Sequence, residues 1–494
     1  MQTLHTWTLA PLTLPALERL AEVLALYAHS GDLILLEGDL GAGKTTFARA
    51  FIRALAADPE LEVPSPTFAL LQSYETPRAT VHHFDLYRLG GPAEVREIGF
   101  EEAQATGVAL VEWPERAGGL LTAERLTLQL ADGPEPDNRL AALTGTGAWA
   151  GRLEHIERVS GFLERTPWRG AQLSHLAGDA SRRSYARLRK DNATALLMDS
   201  PPLPDRPIVK DGKPYWAVAH SAPDVRSFVA VGDALANYGL SVPAIIATDT
   251  ANGLLLVEDL GDNTFEAALR DGAPMRELYR AATDVLVELA QRPAPPFLPR
   301  YDLGALMIEA RLLLDWYWPQ VTGRTPSPSQ VCEFEELWTE ALAPILAAPP
   351  AWVLRDVHSP NLLWLPERAG LAKVGLIDFQ DALAGHAAYD LASLLFDARL
   401  NVPAALEAEL LAYALAQRRA RNPAFDAGHF ALAYATLAAQ RNTKILGIFA
   451  RLAQRDGKPG YLKHFPRIRS YLARALAHAG LADLSDWYRR NLPS

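Results

Sequence analysis

The stretch Gly38-Asp39-Leu40-Gly41-Ala42-Gly43-Lys44-Thr45 lies between an apolar run at 33–36 and a helix-like segment beginning at Thr46. It fits GxxxxGK[ST], and the strand–loop–helix setting gives that pattern its meaning. Gly38, Gly41 and Gly43 let backbone N–H groups close around phosphate oxygens, with Ala42 and Thr46 completing the cradle. Lys44 supplies a point charge for the terminal phosphates, the Thr45 hydroxyl a ligand for Mg2+, and the helix start a positive dipole end. The stretch predicts an α/β nucleotide-binding fold that takes ATP.

A P-loop needs a further acidic group near its metal, normally at the end of a neighbouring strand. Asp85 after the run 81–84 and Glu112 after 108–111 both qualify. One would hold the metal, directly or through water, and the other would orient the attacking water. Runs at 33–36, 68–71, 81–84, 108–111 and 126–130 are candidate strands of one sheet. Gly133-Pro134-Glu135-Pro136 and Thr144-Gly145-Thr146-Gly147 read as loops, and a change of character beyond them sets a boundary near 152.

Far downstream, Trp352-Val353-Leu354-Arg355-Asp356-Val357-His358-Ser359-Pro360-Asn361 precedes Gly375-Leu376-Ile377-Asp378-Phe379-Gln380. That spacing reproduces a kinase catalytic loop and its metal-binding Asp. Asp356 would face the acceptor hydroxyl, while Asn361 and Asp378 hold magnesium. Short strands recur to about 265, and Ala- and Leu-rich periodic stretches such as 404–416 and 430–439 indicate a mostly helical remainder. The expected organisation is a P-loop domain, 1–152, followed by a two-lobed protein-kinase-like domain, 153–494, with its small lobe near 153–265 and its helical lobe near 266–494.

At 494 residues the chain exceeds one ordinary core. Cys332 is the only cysteine, which excludes an intrachain disulfide framework and a Cys-based zinc cluster. No apolar run approaches the roughly 20 residues that cross a bilayer, and Met1-Gln2-Thr3-Leu4-His5 lacks a secretory pattern, so a cytoplasmic protein with no membrane partner is expected. Residues 1–150 hold 10 Lys and Arg against 20 Asp and Glu, whereas the remainder balances at 38 of each. An acidic surface is a poor platform for nucleic acid. A basic protein partner, or simply a solvated face, fits it better.

The segments 38–46, Val63-Pro64-Ser65-Pro66-Thr67-Phe68, His83-Phe84-Asp85-Leu86-Tyr87-Arg88-Leu89, Glu97-Ile98-Gly99-Phe100-Glu101 and Val111-Glu112-Trp113-Pro114-Glu115-Arg116 together resemble the TsaE family, a bacterial ATPase of tRNA threonylcarbamoyladenosine synthesis. By that resemblance Thr45 and Glu112 hold magnesium, Asp85 is needed for hydrolysis, and Trp113 lies near the nucleotide. The resemblance also implies partners, the threonylcarbamoyl transferase and its paralogous partner subunit, with tRNA met only indirectly. Ser65, Thr67 and Phe68 form either a switch-like loop or a Ser-Pro turn with a core phenylalanine.

The second region is similar to the aminoglycoside-phosphotransferase superfamily, most closely its AmgK-like branch of N-acetylmuramate/N-acetylglucosamine anomeric kinases. Residues 176–185 fit the phosphate-covering hairpin, with Ser181 at the β-phosphate, 196–202 the third strand, and 255–262 the adenine-carrying hinge with Glu258. Segments 381–382, 389–394 and 444–452 continue the match. Two departures stand out. Leu354 replaces the usual histidine two positions before the catalytic Asp, and no lysine occupies the third strand, where Met198 or Asp199 falls. Arg182, Arg183 and Lys210 are candidate replacements. Asp390 reads as a buried anchor of the catalytic loop, and His358 as a substrate contact or a packing residue. The chain thus resembles a fusion of an ATPase and an amino-sugar kinase. The alternatives are a nucleotide-dependent binding module and a phosphotransferase for an aminoglycoside or other small hydroxyl substrate.

Overall fold

A computed structural model describes residues 3–135, 137–176, 183–201, 203, 208–210 and 212–492. The chain forms two compact units: Met1–Pro201 with Ile245–Asp259, and Pro202–Ala244 with Leu260–Ser494.

In the first unit an eight-stranded sheet is built from β1 (Leu4–Thr8), β2 (Leu12–Thr13), β3 (Leu33–Glu37), β4 (Leu71–Tyr74), β5 (Val81–Asp85), β6 (Val108–Glu112), β7 (Arg125–Asp132) and β8 (Asn138–Thr146). Its order is β1-β8-β7-β3-β6-β5-β4, with β2 paired to β8. The pairs β3/β6, β3/β7 and β5/β6 are parallel and the outer pairs antiparallel. Parallel strands need both faces covered, and β3 and β6 are accordingly continuous apolar runs. The P-loop joins β3 to helix α2 (Lys44–Ala56), and α1 (Leu14–Leu26) packs beside it.

Two expectations fail here. The strand read at 68–71 starts only at Leu71, because Pro66 opens a turn closed by a 2.6 Å bond from the Leu70 N–H to the Pro66 carbonyl, with Leu70 at φ 65°. The loop read at 144–147 is mostly strand, since Thr144 to Thr146 pair with both β1 and β7.

Position 152, expected as a boundary, falls inside the helix Ala148–Glu164. That helix buries Trp149, Leu153, Ile156, Val159 and Phe162, an apolar stripe at helical spacing. The stripe reaches a second sheet of the same unit, which includes β9 (Gln172–Leu176), β10 (Ser184–Lys190), β11 (Ala193–Asp199) and the strand Leu254–Glu258. One continuous core joins Leu20 and Leu24 of α1, Phe47 and Phe51 of α2, and Ile156 and Val159 to Leu173, Leu188, Leu197 and Leu256 of that sheet. Polar contacts close the seam. Tyr27 donates to Asp199 Oδ2 at 2.7 Å, His155 Nε2 lies 2.7 Å from the same oxygen, and the Leu173 N–H donates to Glu22 at 3.1 Å.

The second unit is mostly helical. Its longest helix, Ala427–Gln454, is packed by Leu303–Leu312, Ala388–Leu395 and Phe465–Leu476. Gly447 permits the closest approach, since a Cβ there would stand 2.3 Å from the Leu312 backbone carbon.

Because the P-loop helices and the β9–β11 sheet share one core, truncating the sheet should be felt in the helices. Leu188→Ala should cost about 2–5 kcal/mol, and amide exchange in α1 and in β10 should accelerate together. Unchanged exchange in α1 would show the core to be divisible.

Candidate active sites

The first site sits at the carboxyl ends of the parallel strands, where open α/β sheets place ligands. Gly38 is at φ 141°, and a Cβ on it would lie 2.3 Å from the Leu130 carbonyl oxygen, so only glycine fits. Gly43, at φ 106°, forms the N-cap of α2. Lys44 reaches back over the loop, donating to the carbonyls of Gly38 (2.6 Å) and Asp39 (2.9 Å), with its ammonium 3.8 Å from the Trp113 ring centroid. Burial lowers its pKa, against the pull of Glu112 and other nearby carboxylates. Ala42 is buried, and Thr46 lies in the first turn of α2.

The parallel register sets Asp85 directly beside Glu112. Their surroundings separate them. The Thr45 hydroxyl donates to Glu112 (2.8 and 3.1 Å), whereas Ser65 (3.0 Å) and Thr67 (2.8 Å) both donate to Asp85 Oδ2. Phe68 is 82 % exposed, which excludes the core-phenylalanine reading, and Arg88 stacks on its ring at 4.1 Å. His83, missed in the sequence, is fully buried with Nε2 3.0 Å from Glu112 Oε1. The only trace it leaves is its inward phase in the strand. The donors Thr45 and Glu112 are oxygens, which suits Mg2+. A Cβ on Gly41 would meet nothing within 4 Å beyond its chain neighbours, so its φ of 83°, not space, calls for glycine there.

The second site is built on the loop after the strand Ala351–Val353. The Asp390 carboxylate, itself buried, accepts the N–H groups of Leu354 (2.6 Å) and Arg355 (2.9 Å) and fixes the approach to Asp356. Asp397, which no sequence signal marked, accepts the Ser359 N–H at 2.8 Å and the Tyr279 hydroxyl at 3.0 Å. Asn361 donates to the Asp356 carbonyl at 3.0 Å and stands 3.4 Å from Asp378 Oδ2, while Gln380 donates to Asp378 Oδ1 at 2.9 Å. Asp356, Asn361 and Asp378 line one small cavity. His358 lies 3.4 Å from Asn361, and burial lowers its pKa.

Burial alone would raise the Asp356 carboxyl, but Arg441, Lys444, His358 and Arg355 hold it below the usual carboxylate range. Behind the loop, Glu309 is fully buried and pairs with Arg355 and, at 2.9 Å, Lys444. Burial works against its charge, yet these cations bring its pKa to about 2.

Other expected positions resolve differently. Met198 is buried, and Asp199 makes the seam contacts with Tyr27 and His155, so the third strand brings no cation. Glu258 ends its strand in the first unit. Arg183 precedes β10. Ser181, Arg182 and the Lys210 side chain lie outside the described residues.

Comparison with known proteins follows this division. Residues 13–140 match the model of the threonylcarbamoyl adenosine biosynthesis protein TsaE, and residues 172–427 that of the phosphotransferase enzyme family. An N-acetylmuramate/N-acetylglucosamine kinase of Caulobacter vibrioides is 37 % identical over 350 residues, covering 67 % of this chain and 95 % of its own. A tRNA threonylcarbamoyladenosine biosynthesis protein TsaE of Rickettsia prowazekii is 42 % identical over 110 residues, 22 % of this chain and 76 % of that protein.

The chain belongs to both families, as a fusion. It is an enzyme, an ATP-dependent phosphotransferase in its larger part. The crystal structure of a choline/ethanolamine kinase family protein from Mesorhizobium loti covers 68 % of this chain and 99 % of its own, at 16 % identity and a TM-score of 0.41. Among the described residues no helix is long and apolar enough to cross a membrane.

Two outcomes follow from these contacts. His83→Ala removes a buried partner of Glu112, so the Mg2+ concentration that half-saturates binding of a fluorescent ATP analogue should rise roughly 10- to 100-fold; an unchanged titration would remove His83 from the site. Glu309→Gln leaves Arg355 and Lys444 unpaired and should destabilise the second unit by about 3–5 kcal/mol at pH 7. Glu309 has a lowered folded-state pKa, so its contribution is present above pH 4.5 and lost towards about pH 2. The stability gap between wild type and variant in urea should therefore narrow as pH falls through that window.

Proposed function

We propose that the chain is bifunctional. Residues 1–152 hydrolyse ATP in support of tRNA threonylcarbamoyladenosine formation, and residues 153–494 phosphorylate the anomeric hydroxyl of N-acetylmuramate or N-acetylglucosamine in cell-wall recycling. The kinase reading rests above all on the convergence of Asp356, Asn361 and Asp378 on one cavity, together with the similarity to the amino-sugar kinases.

In the P-loop part, the residues 38 and 41–46 bind the nucleotide, with Lys44 released from the loop carbonyls to the phosphates. Thr45 and Glu112 hold Mg2+, which neutralises charge on the phosphates when bound. Asp85, bonded by Ser65 and Thr67 of the Ser-Pro loop, orients the attacking water. Trp113 covers the site. The acidic surface of residues 1–150 is met by the transferase and its paralogous partner subunit, which carry the tRNA.

In the kinase part, Asp356 orients the C1 hydroxyl and accepts its proton as the oxygen bonds to the γ-phosphorus and the bond to ADP breaks. Asn361 and Asp378 hold the magnesium, and Ser181 and Glu258 serve the nucleotide. The charged groups beside Asp356 include Arg355, Arg441 and Lys444.

Each site should answer to its own residue. Lys44→Ala should abolish support of tRNA modification and spare sugar phosphorylation, whereas Asp356→Asn should lower the kinase kcat by about 10²- to 10⁴-fold and spare the tRNA function. Phosphate on C1 prevents ring opening, so reducing ends should disappear in step with ADP formation. ADP formed with undiminished reducing ends would refute the anomeric assignment.

A further inference from the structure

The middle of the helix Ala427–Gln454 carries five consecutive polar residues, Gln440 to Lys444, and none is more than 6 % exposed. Burying polar side chains on every face of a helix is costly unless each is paired. Four of the five pair within the scaffold. Gln440 donates to the Leu306 carbonyl (2.9 Å), Asn442 to the Ala438 carbonyl (2.8 Å) and Lys444 to Glu309 (2.9 Å), while Thr443 meets the Tyr488 hydroxyl at 2.6 Å. Arg441 differs. Its Nη1 donates to the Arg355 carbonyl at 2.9 Å, and Nη1 and Nη2 both lie 3.4 Å from Asp356 Oδ1. The Tyr389 hydroxyl, 3.3 Å from Nη1, flanks the guanidinium.

The planar fork thus grips both the peptide leading into Asp356 and one oxygen of its carboxylate. Such a grip fixes the rotation of the carboxylate and leaves Oδ2 for an acceptor hydroxyl. We propose that Arg441 is a positioning residue of the phosphoryl transfer, holding the Asp356 carboxylate in the orientation that the acceptor hydroxyl requires. This rests on Asp356 being the acceptor-facing group.

The charged and titratable groups around Asp356 are Arg355 and His358 on its own loop, Arg441 and Lys444 on the long helix, Asp390 and Tyr389 on Ala388–Leu395, and Glu309 and Tyr301 behind the loop. Among these cations Arg441 is the one whose fork contacts Asp356 Oδ1.

The test is the kinase activity of the full chain on N-acetylglucosamine or N-acetylmuramate with ATP. Arg441→Met should lower kcat by roughly 100-fold, the scale of a catalytic group misplaced by about 1 Å, while the KM for ATP changes less than about threefold. Arg441→Lys keeps charge without the fork, so it should restore only part of kcat, and added guanidinium should partly rescue Arg441→Ala. Asn442→Leu, in the same buried run but without contact to the loop, should alter stability and show no response to guanidinium. A folded Arg441→Met with wild-type kcat would overturn the proposal. So would a loss of kcat with no guanidinium rescue of Arg441→Ala, which would make Arg441 a packing residue only. Failure of the reading beneath it is separately visible, because Asp356→Asn would then retain wild-type kcat.

Discussion

The apolar face of the β9–β11 sheet is the constraint on which the first unit depends. Leu173, Leu188, Leu197 and Leu256 lie on it, and water cannot cover them without large cost. The cover comes from α1, α2 and the helix Ala148–Glu164. The strands that resemble a kinase small lobe are therefore part of the same core as the P-loop. A fusion written as two catalytic modules in sequence is one hydrophobic body at their junction. Asp199 records this in its chemistry. Where related kinases are expected to carry a lysine, the chain places a carboxylate that bonds Tyr27 and His155 across the junction. The hydroxyl of Tyr27 is itself held far above its ordinary pKa, by burial and by that carboxylate, and so keeps the proton that it donates to Asp199.

What could be read from the sequence was local. The P-loop is one contiguous stretch, Asp85, Glu112 and Asp378 each follow an apolar run, and Asp356 and Asn361 stand at a fixed spacing in one loop, so residue order marked them as candidates. Asp85 and Glu112 end adjacent parallel strands, and the one-to-one register then places them together. Contacts that close over long sequence distances were illegible. His83 and Glu112 are 29 residues apart, Glu309 and Lys444 135, and Arg441 and Asp356 85. The strands β1 and β8 escaped notice for a related reason. Each is short in apolar residues and gains its identity only by pairing, which joins residues 4–8 to 142–146.

Both sites share a backbone device. Trp113, Arg355 and Asp378 are non-glycine residues at φ 63°, 76° and 59°, in a region that side chains normally avoid. Each lies within two residues of the end of a strand that delivers a site carboxylate or loop. A left-handed residue there turns the chain sharply, so consecutive side chains can serve different sides of a site. Such strain persists only where the surroundings over-determine it. At Arg355 they do. The N–H is held by Asp390, the carbonyl by Arg441 and the guanidinium by Glu309.

That over-determination also accounts for Leu354. A histidine at this position would tie the catalytic loop to the scaffold through its side chain, and the buried leucine here has no polar atom to offer. The tie is made instead through the main chain. Asp390 takes the N–H groups of residues 354 and 355, and Arg441 takes the carbonyl of 355. Three hydrogen bonds thus fall on two successive residues immediately before Asp356. All three are buried, so a loop without the histidine is held from two helices at once. The polar run of the long helix serves the same need, since it carries Arg441 to that depth with its guanidinium paired to the Arg355 carbonyl and to Asp356.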